Sequence, residues 1–231
     1  MLRLTLLALL AGNAVGQPVI QPNYCFGMLM SVANRPRLSD DEAQKIQAGH
    51  MAHLNALGEK RWLVAAGPMT TPGNLRGLVI SKCKSIEEAR ELAAQDPAVK
   101  NGRLYIEAYP WQAPEGLGDR YWAEYAKNPD RKVTMVKHPL AFLVKSVQWN
   151  GMPSMERLKE HGAAVKAHLE SGKMKSAGPF VDGGSKIGVF IFAPMPVEEA
   201  RQLAENDPLV KSGVARVEIL EWIAAEGTFP Q

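Results

Sequence analysis

One stretch of this chain is written twice. Shifted by 111 residues, positions 46–111 fall on 157–222 without a gap. His50 lands on His161, Ala66-Gly67-Pro68 on Ala177-Gly178-Pro179, and Gly73 and Gly77 on Gly184 and Gly188. Glu87-Glu88-Ala89-Arg90 lands on Glu198-Glu199-Ala200-Arg201, Asp96-Pro97 on Asp207-Pro208, and Trp111 on Trp222. A solenoid repeats every 20–50 residues or so. A period this long, carrying Gly, Pro, Trp and His at one offset, is a duplicated domain.

Each copy reads strand, helix, strand, strand, helix, strand. First strands are expected near 24–32 and 140–147. The first helix of copy one opens on Ser39 with Glu42 three residues on, a capping box in which each side chain satisfies an orphan amide of the other. It is expected to run to Leu57 and close at Gly58, its partner running from Ser154 to Glu170 and closing near Gly172. Short strands follow at 61–66 and 173–177. Gly-Pro then starts a turn-rich loop, and apolar runs at 77–82 and 188–193 suit buried strands. Ser85 and Glu88 form a second box, and the last strand alternates Leu104, Ile106 and Ala108 against Tyr105, Glu107 and Tyr109. The fold class is therefore α+β: two tandem ferredoxin-like βαββαβ units. Helices cover one face of each sheet, so the two open faces are expected to pack on each other. The copies span 24–111 and 134–222, with 112–133 a surface-draped linker and 223–231 a tail.

Residues 1–16, MLRLTLLALLAGNAVG, have a basic start, an apolar run and small residues before Gln17. That is the pattern of a cleaved signal peptide, too short for a membrane span. It places the mature protein in the periplasm or outside the cell, with no membrane segment. Net charge is +3, from 27 basic and 24 acidic residues that are scattered, so no nucleic-acid partner is expected. Cys25 and Cys83 stand at the start of the first strand and the end of the third, which are neighbours in this fold. They are either bridged or two half-buried thiols; at the 111-residue offset their places in copy two are Val136 and Pro194.

His50 and His161 are the sharpest chemical signal. Ile46, His50, Leu54 and Leu57 share one helix stripe, as do Leu158, His161, Val165 and Leu169, so both histidines face the sheet. Asp96 and Asp207 each follow their histidine by 46 residues. An Asp before Pro caps a helical turn; it can also orient an imidazole for general acid–base work. The two roles are compatible, since a carboxylate has two oxygens. His53 and His168 lack counterparts at Ala164 and Leu57. No ligand set for a metal and no phosphate or dinucleotide fingerprint appears, so no metal and no cofactor are expected. Glu107 and Glu218 read as partners of Arg or Lys, and Trp111 and Trp222 as packing.

The string H-x16-G-P, then G-x3-G, then E-E-A-R-x-L-A-x2-D-P-x-V-K-x-G, closing on Trp, resembles the YCII-related family, and is met at His50–Trp111 and His161–Trp222. The resemblance implies a dimeric α/β-barrel, here made within one chain as a pseudo-dimer, with higher oligomers open. It also implies a site of helix histidine plus D-P aspartate: His50 with Asp96, His161 with Asp207. The family includes a dehydrochlorinase of a chlorinated hydroxyquinol, and muconolactone isomerases share the barrel. Two functions follow. One is a cofactor-free proton-transfer enzyme on a small cyclic or aromatic molecule, the histidines as bases. The other is a non-catalytic small-ligand or interaction module. An open pocket beside the pair favours the first, and a pair enclosed in packing favours the second.

Overall fold

The computed structural model describes residues 22–35 and 37–230; the export pattern at 1–16 lies outside them. Copy one contains β1 (Tyr24–Ser31), α1 (Asp40–Glu59), β2 (Leu63–Pro68), β3 (Leu75–Ser81), α2 (Ile86–Ala93), α3 (Pro97–Lys100) and β4 (Leu104–Trp111). A linker helix α4 (Asp119–Lys127) follows. Copy two contains β5 (Met135–Lys145), α5 (Met155–Glu170), β6 (Met174–Pro179), β7 (Lys186–Phe192), α6 (Val197–Glu205), α7 (Pro208–Lys211) and β8 (Ala215–Ala225). The antiparallel sheets run β2-β3-β1-β4 and β6-β7-β5-β8, the ferredoxin-like order in both copies. Among the described residues no helix is long and apolar enough to cross a membrane.

The two open faces meet. Phe26, Met28, Leu78 and Ile80 of one sheet and Leu140, Phe142, Val189 and Ile191 of the other share one apolar core, each at most 2% exposed. Phe26 stands edge-on to Phe142 at 5.9 Å and to Phe180 at 5.4 Å. Each large apolar side chain buried this way contributes about 1.5–3 kcal/mol.

The edges are closed by the Gly-Pro segments, which extend strands where the sequence pattern predicts a loop. β2 and β6 continue through Pro68 and Pro179 because each runs on into a pairing with the other copy. Trp222 bridges Met69, and Thr70 N–H donates to Glu221 O at 2.9 Å. At the pseudo-symmetric seam Trp111 bridges Phe180, Gln112 N–H donates to Pro179 O at 3.1 Å, and Val181 N–H to Pro110 O at 3.0 Å. Each tryptophan also donates its indole N–H to the other copy's glycine, Trp111 to Gly178 O at 3.1 Å and Trp222 to Gly67 O at 3.0 Å. A Cβ on Gly67 would lie 1.8 Å from Ile223 O, and one on Gly178 1.8 Å from Gln112 O. Only glycine admits the approach. The pair of sheets thus becomes a closed barrel with two glycine-gated seams.

The copies differ before the helix histidine. Phe26 pairs with Ile80 and Leu140 with Ile191, so Phe26 and Leu140 are equivalent. Phe26 to His50 is 24 residues and Leu140 to His161 is 21 (50 − 26 and 161 − 140). The 111-residue offset therefore becomes 114 in the first strand, and the counterpart of Cys25 is Pro139 rather than Val136. The helices differ too: α1 has 20 residues and α5 has 16.

Ser39 and Glu42 make the full capping box. Ser85 caps α2, but Glu88 accepts from Lys84 N–H at 2.6 Å instead of from Ser85, leaving the second box half made. Gly58 is not the terminator of α1. It is buried inside the last turn, where a Cβ would meet Trp122 of α4 at 2.5 Å. Arg61, at φ 59°, takes the left-handed position that Gly172 fills in copy two at φ 73°. The Arg61 guanidinium covers the Trp122 ring at 4.8 Å. The linker is therefore docked through a helix that its Pro and Gly content hid.

Cys25 and Cys83 form a disulfide with Cα atoms 5.9 Å apart, 58 residues apart in sequence. Closing such a loop restricts the unfolded chain by about 4 kcal/mol in the chain-entropy model. Alkylating the unfolded, unreduced protein is expected to label no cysteine; two labels per chain would contradict the bridge. At the seams, Gly67→Ala or Gly178→Ala is expected to lower stability in urea by about 3 kcal/mol or more. An unchanged midpoint would contradict the glycine-gated closure.

Candidate functional site

The same local device builds the pair in each copy. Asp96 sits at the N-cap of α3 with Pro97 at the first helical position, and its Oδ1 accepts from Ala98 N–H at 2.7 Å. Its other oxygen, Oδ2, lies 2.6 Å from His50 Nδ1. In copy two, Asp207 Oδ1 accepts from Leu209 N–H at 2.9 Å, and Oδ2 lies 2.7 Å from His161 Nδ1. Cap and orienting roles coexist, one oxygen each. An ionised carboxylate only accepts, so Nδ1–H is the donor and the lone pair of the neutral ring sits on Nε2. Neither Nε2 has a hydrogen-bond partner among the described residues. Asp96 and Asp207 are 3% and 4% exposed.

What the two imidazoles look onto is different. His50 lines a cleft of about 710 Å³ between α1, β2, β3, α4 and the end of β8. That is within the roughly 300–1,000 Å³ of small-molecule sites. His161 lines a cavity of about 30 Å³, room for a water and for no organic ligand. Substitutions between the copies account for the filling. Where copy one has Gln47, Arg76, Val79 and Ala98, copy two has Leu158, Ile187, Phe190 and Leu209, which all line the smaller cavity. The Phe190 ring stacks on His161 at 6.0 Å. The extra first turn of α1 adds Ala43 to the cleft wall, Ile46 lines it where copy two has Arg157, and Tyr121 and Trp122 of the linker helix add another side.

The remaining candidates disperse. His53 Nε2 is buried without a partner beside a cavity of about 20 Å³, and His168 stands half-buried on α5. Among the described residues no three His, Cys, Asp or Glu side chains converge on a point. Glu218 pairs with Arg216 at 2.6 Å, whereas Glu107 takes the Tyr109 hydroxyl at 3.0 Å. His138 is structural. Its Nδ1–H donates to Phe192 O at 2.8 Å, and burial pushes its pKa down, which keeps it neutral. Sequence reasoning missed Arg76 and Arg103 on the cleft wall. The signal was available in the 111-residue offset, where each faces an apolar residue, Ile187 or Val214.

The YCII-related domain matches residues 27–111 and again 139–223. The chain belongs to the YCII-related family. Among curated proteins none matches it. Of solved structures, a variant of the chlorite dismutase from Candidatus Nitrospira defluvii superposes with a TM-score of 0.58 at 8% identity, covering 90% of this chain and 94% of that one. A heme-binding protein from Thermus thermophilus superposes at 0.54 and 14% identity, covering 90% and 93%. At such identities the likeness is one of fold: two ferredoxin-like units in one chain, closed as a dimeric α/β-barrel.

Proposed function

We propose that this YCII-related protein is a cofactor-free proton-transfer enzyme acting on a small cyclic or aromatic molecule, and that the first copy holds the working site. The carrying observation is an imidazole with Nδ1 bound to a buried carboxylate, beside a cleft of about 710 Å³. In this reading His50 Nε2 removes a proton from substrate carbon. Asp96 holds the ring in place and balances the imidazolium that forms. Returning the proton at a neighbouring position isomerises the substrate; retaining it while a leaving group departs completes an elimination. The cavity of about 30 Å³ beside His161 supports the non-catalytic reading for copy two, where the pair ties α5 to the turn that Asp207 caps. We further propose that the protein is exported, supported by the pattern at 1–16 and by a disulfide that persists in oxidising compartments.

The test is solvent-deuterium exchange into a panel of cyclic and aromatic carbon acids, followed by mass spectrometry. Exchange into at least one member is expected. His50→Gln should slow it about 10²–10⁴-fold, and Asp96→Asn, which still caps α3, should slow it less. His161→Gln should leave it unchanged in protein of native circular dichroism. Exchange that survives His50→Gln would overturn the assignment. A Soret band on adding hemin, abolished by His50→Gln, would replace proton transfer with macrocycle binding.

A further inference from the structure

The first-copy cleft carries a charge asymmetry that the His–Asp pair does not explain. Arg35, Arg76 and Arg103 line it, and no acidic side chain does. Among the described residues none of the three arginines is in an ion pair. The fold makes two of them neighbours across one strand. Ser31, the last residue of β1, donates its N–H to Asn74 O and pairs with Leu104, while Val32 N–H donates to Arg103 O. Arg76 and Arg103 therefore flank the same end of β1, one from β3 and one at the start of β4. Their counterparts Ile187 and Val214 pack in the helix-side core of copy two. That is the face on which His50 stands in copy one, so both arginine positions lie on the sheet face that looks toward the helix carrying the base, and both side chains line the cleft with His50. The rest of the wall is largely apolar, with Leu29, Leu54, Leu63 and Trp122.

Building on the proposed site, we infer that the first-copy cleft binds a small organic anion: a carboxylate or phosphate head held by Arg76 and Arg103, with an apolar body laid against His50. A guanidinium offers a planar fork of donors that matches either oxyanion. Arg35, exposed at the rim, adds to the positive field at the entrance. An anionic head at this point fixes the body of the ligand and selects against neutral molecules of the same shape. Copy two, with Ile187 and Val214 in these places, has neither the room nor the charge for such a ligand.

Calorimetric titration of benzoate, phenyl phosphate and benzamide, with cyclohexanecarboxylate and its amide as a non-aromatic pair, tests this directly. At least one anion is expected to bind roughly tenfold or more tightly than the neutral amide, at one site per chain. Whichever head binds better identifies the anion class. The double variant Arg76→Ile, Arg103→Val imports the residues copy two already packs, so it should fold. It should erase the preference, whereas Lys159→Ala, which removes a remote surface cation, should not. His50→Gln should keep the preference. Loss of deuterium exchange with the preference intact, or the reverse, separates failure of the catalytic reading from failure of this one. Equal binding of anions and amides, no binding of any of them, or a preference that survives the double variant would overturn the inference.

Discussion

The barrel rests on two places where backbone touches backbone between copies. At each, a tryptophan of one copy's last strand donates its indole N–H to a glycine carbonyl of the opposite copy, and the absent Cβ of that glycine leaves room for the neighbouring chain. Remove that contact and β2 and β6 have no reason to run through their prolines. The sheets would then keep open edges, and the core between Phe26, Phe142 and Phe180 would lose its frame. An uncovered apolar sheet face is an association surface. In a protein with this fold made from separate subunits the partner supplies the cover. Here the linker holds the partner at high effective concentration.

Covalent duplication also frees the copies from being alike. A symmetric dimer must use the same residue in both sites; a tandem repeat need not. Both copies keep the Asp that caps a turn with one oxygen and holds a histidine with the other, a device that ties the turn to the first helix in each copy. What diverged is the space in front. Leu158, Ile187, Phe190 and Leu209 fill it in copy two, while copy one holds Gln47, Arg76 and Ala98 around a cleft, keeps the smaller Val79 in place of Phe190, and lengthens α1 over it. A filled copy and an open copy are the outcome.

Much of this was legible in sequence. The repeat defines the architecture, and the equal 46-residue separations on a sheet-facing helix stripe point each histidine to the aspartate it does contact. Both are local or periodic signals. What stayed hidden depends on meetings in space. Gly67 and Gly178 look like ordinary turn glycines until the other copy's backbone arrives. Gly58 looks like a helix terminator, whereas the ring of Trp122, sixty-four residues on (122 − 58), is what requires it. The three-residue difference ahead of His50 shows only in the strand register. Cavity size depends on the sum of several side-chain volumes, so comparing His50 with His161 alone could not distinguish the two sites.

The claim that one copy is open and the other filled is tested most directly by NMR of the histidine ring Cε1–H resonances, assigned through His50→Gln and His161→Gln. On titration with benzoate or phenyl phosphate, the His50 signal is predicted to move and saturate while the His161 signal stays in place. Equal movement of both signals, or movement of His161 alone, would contradict the account.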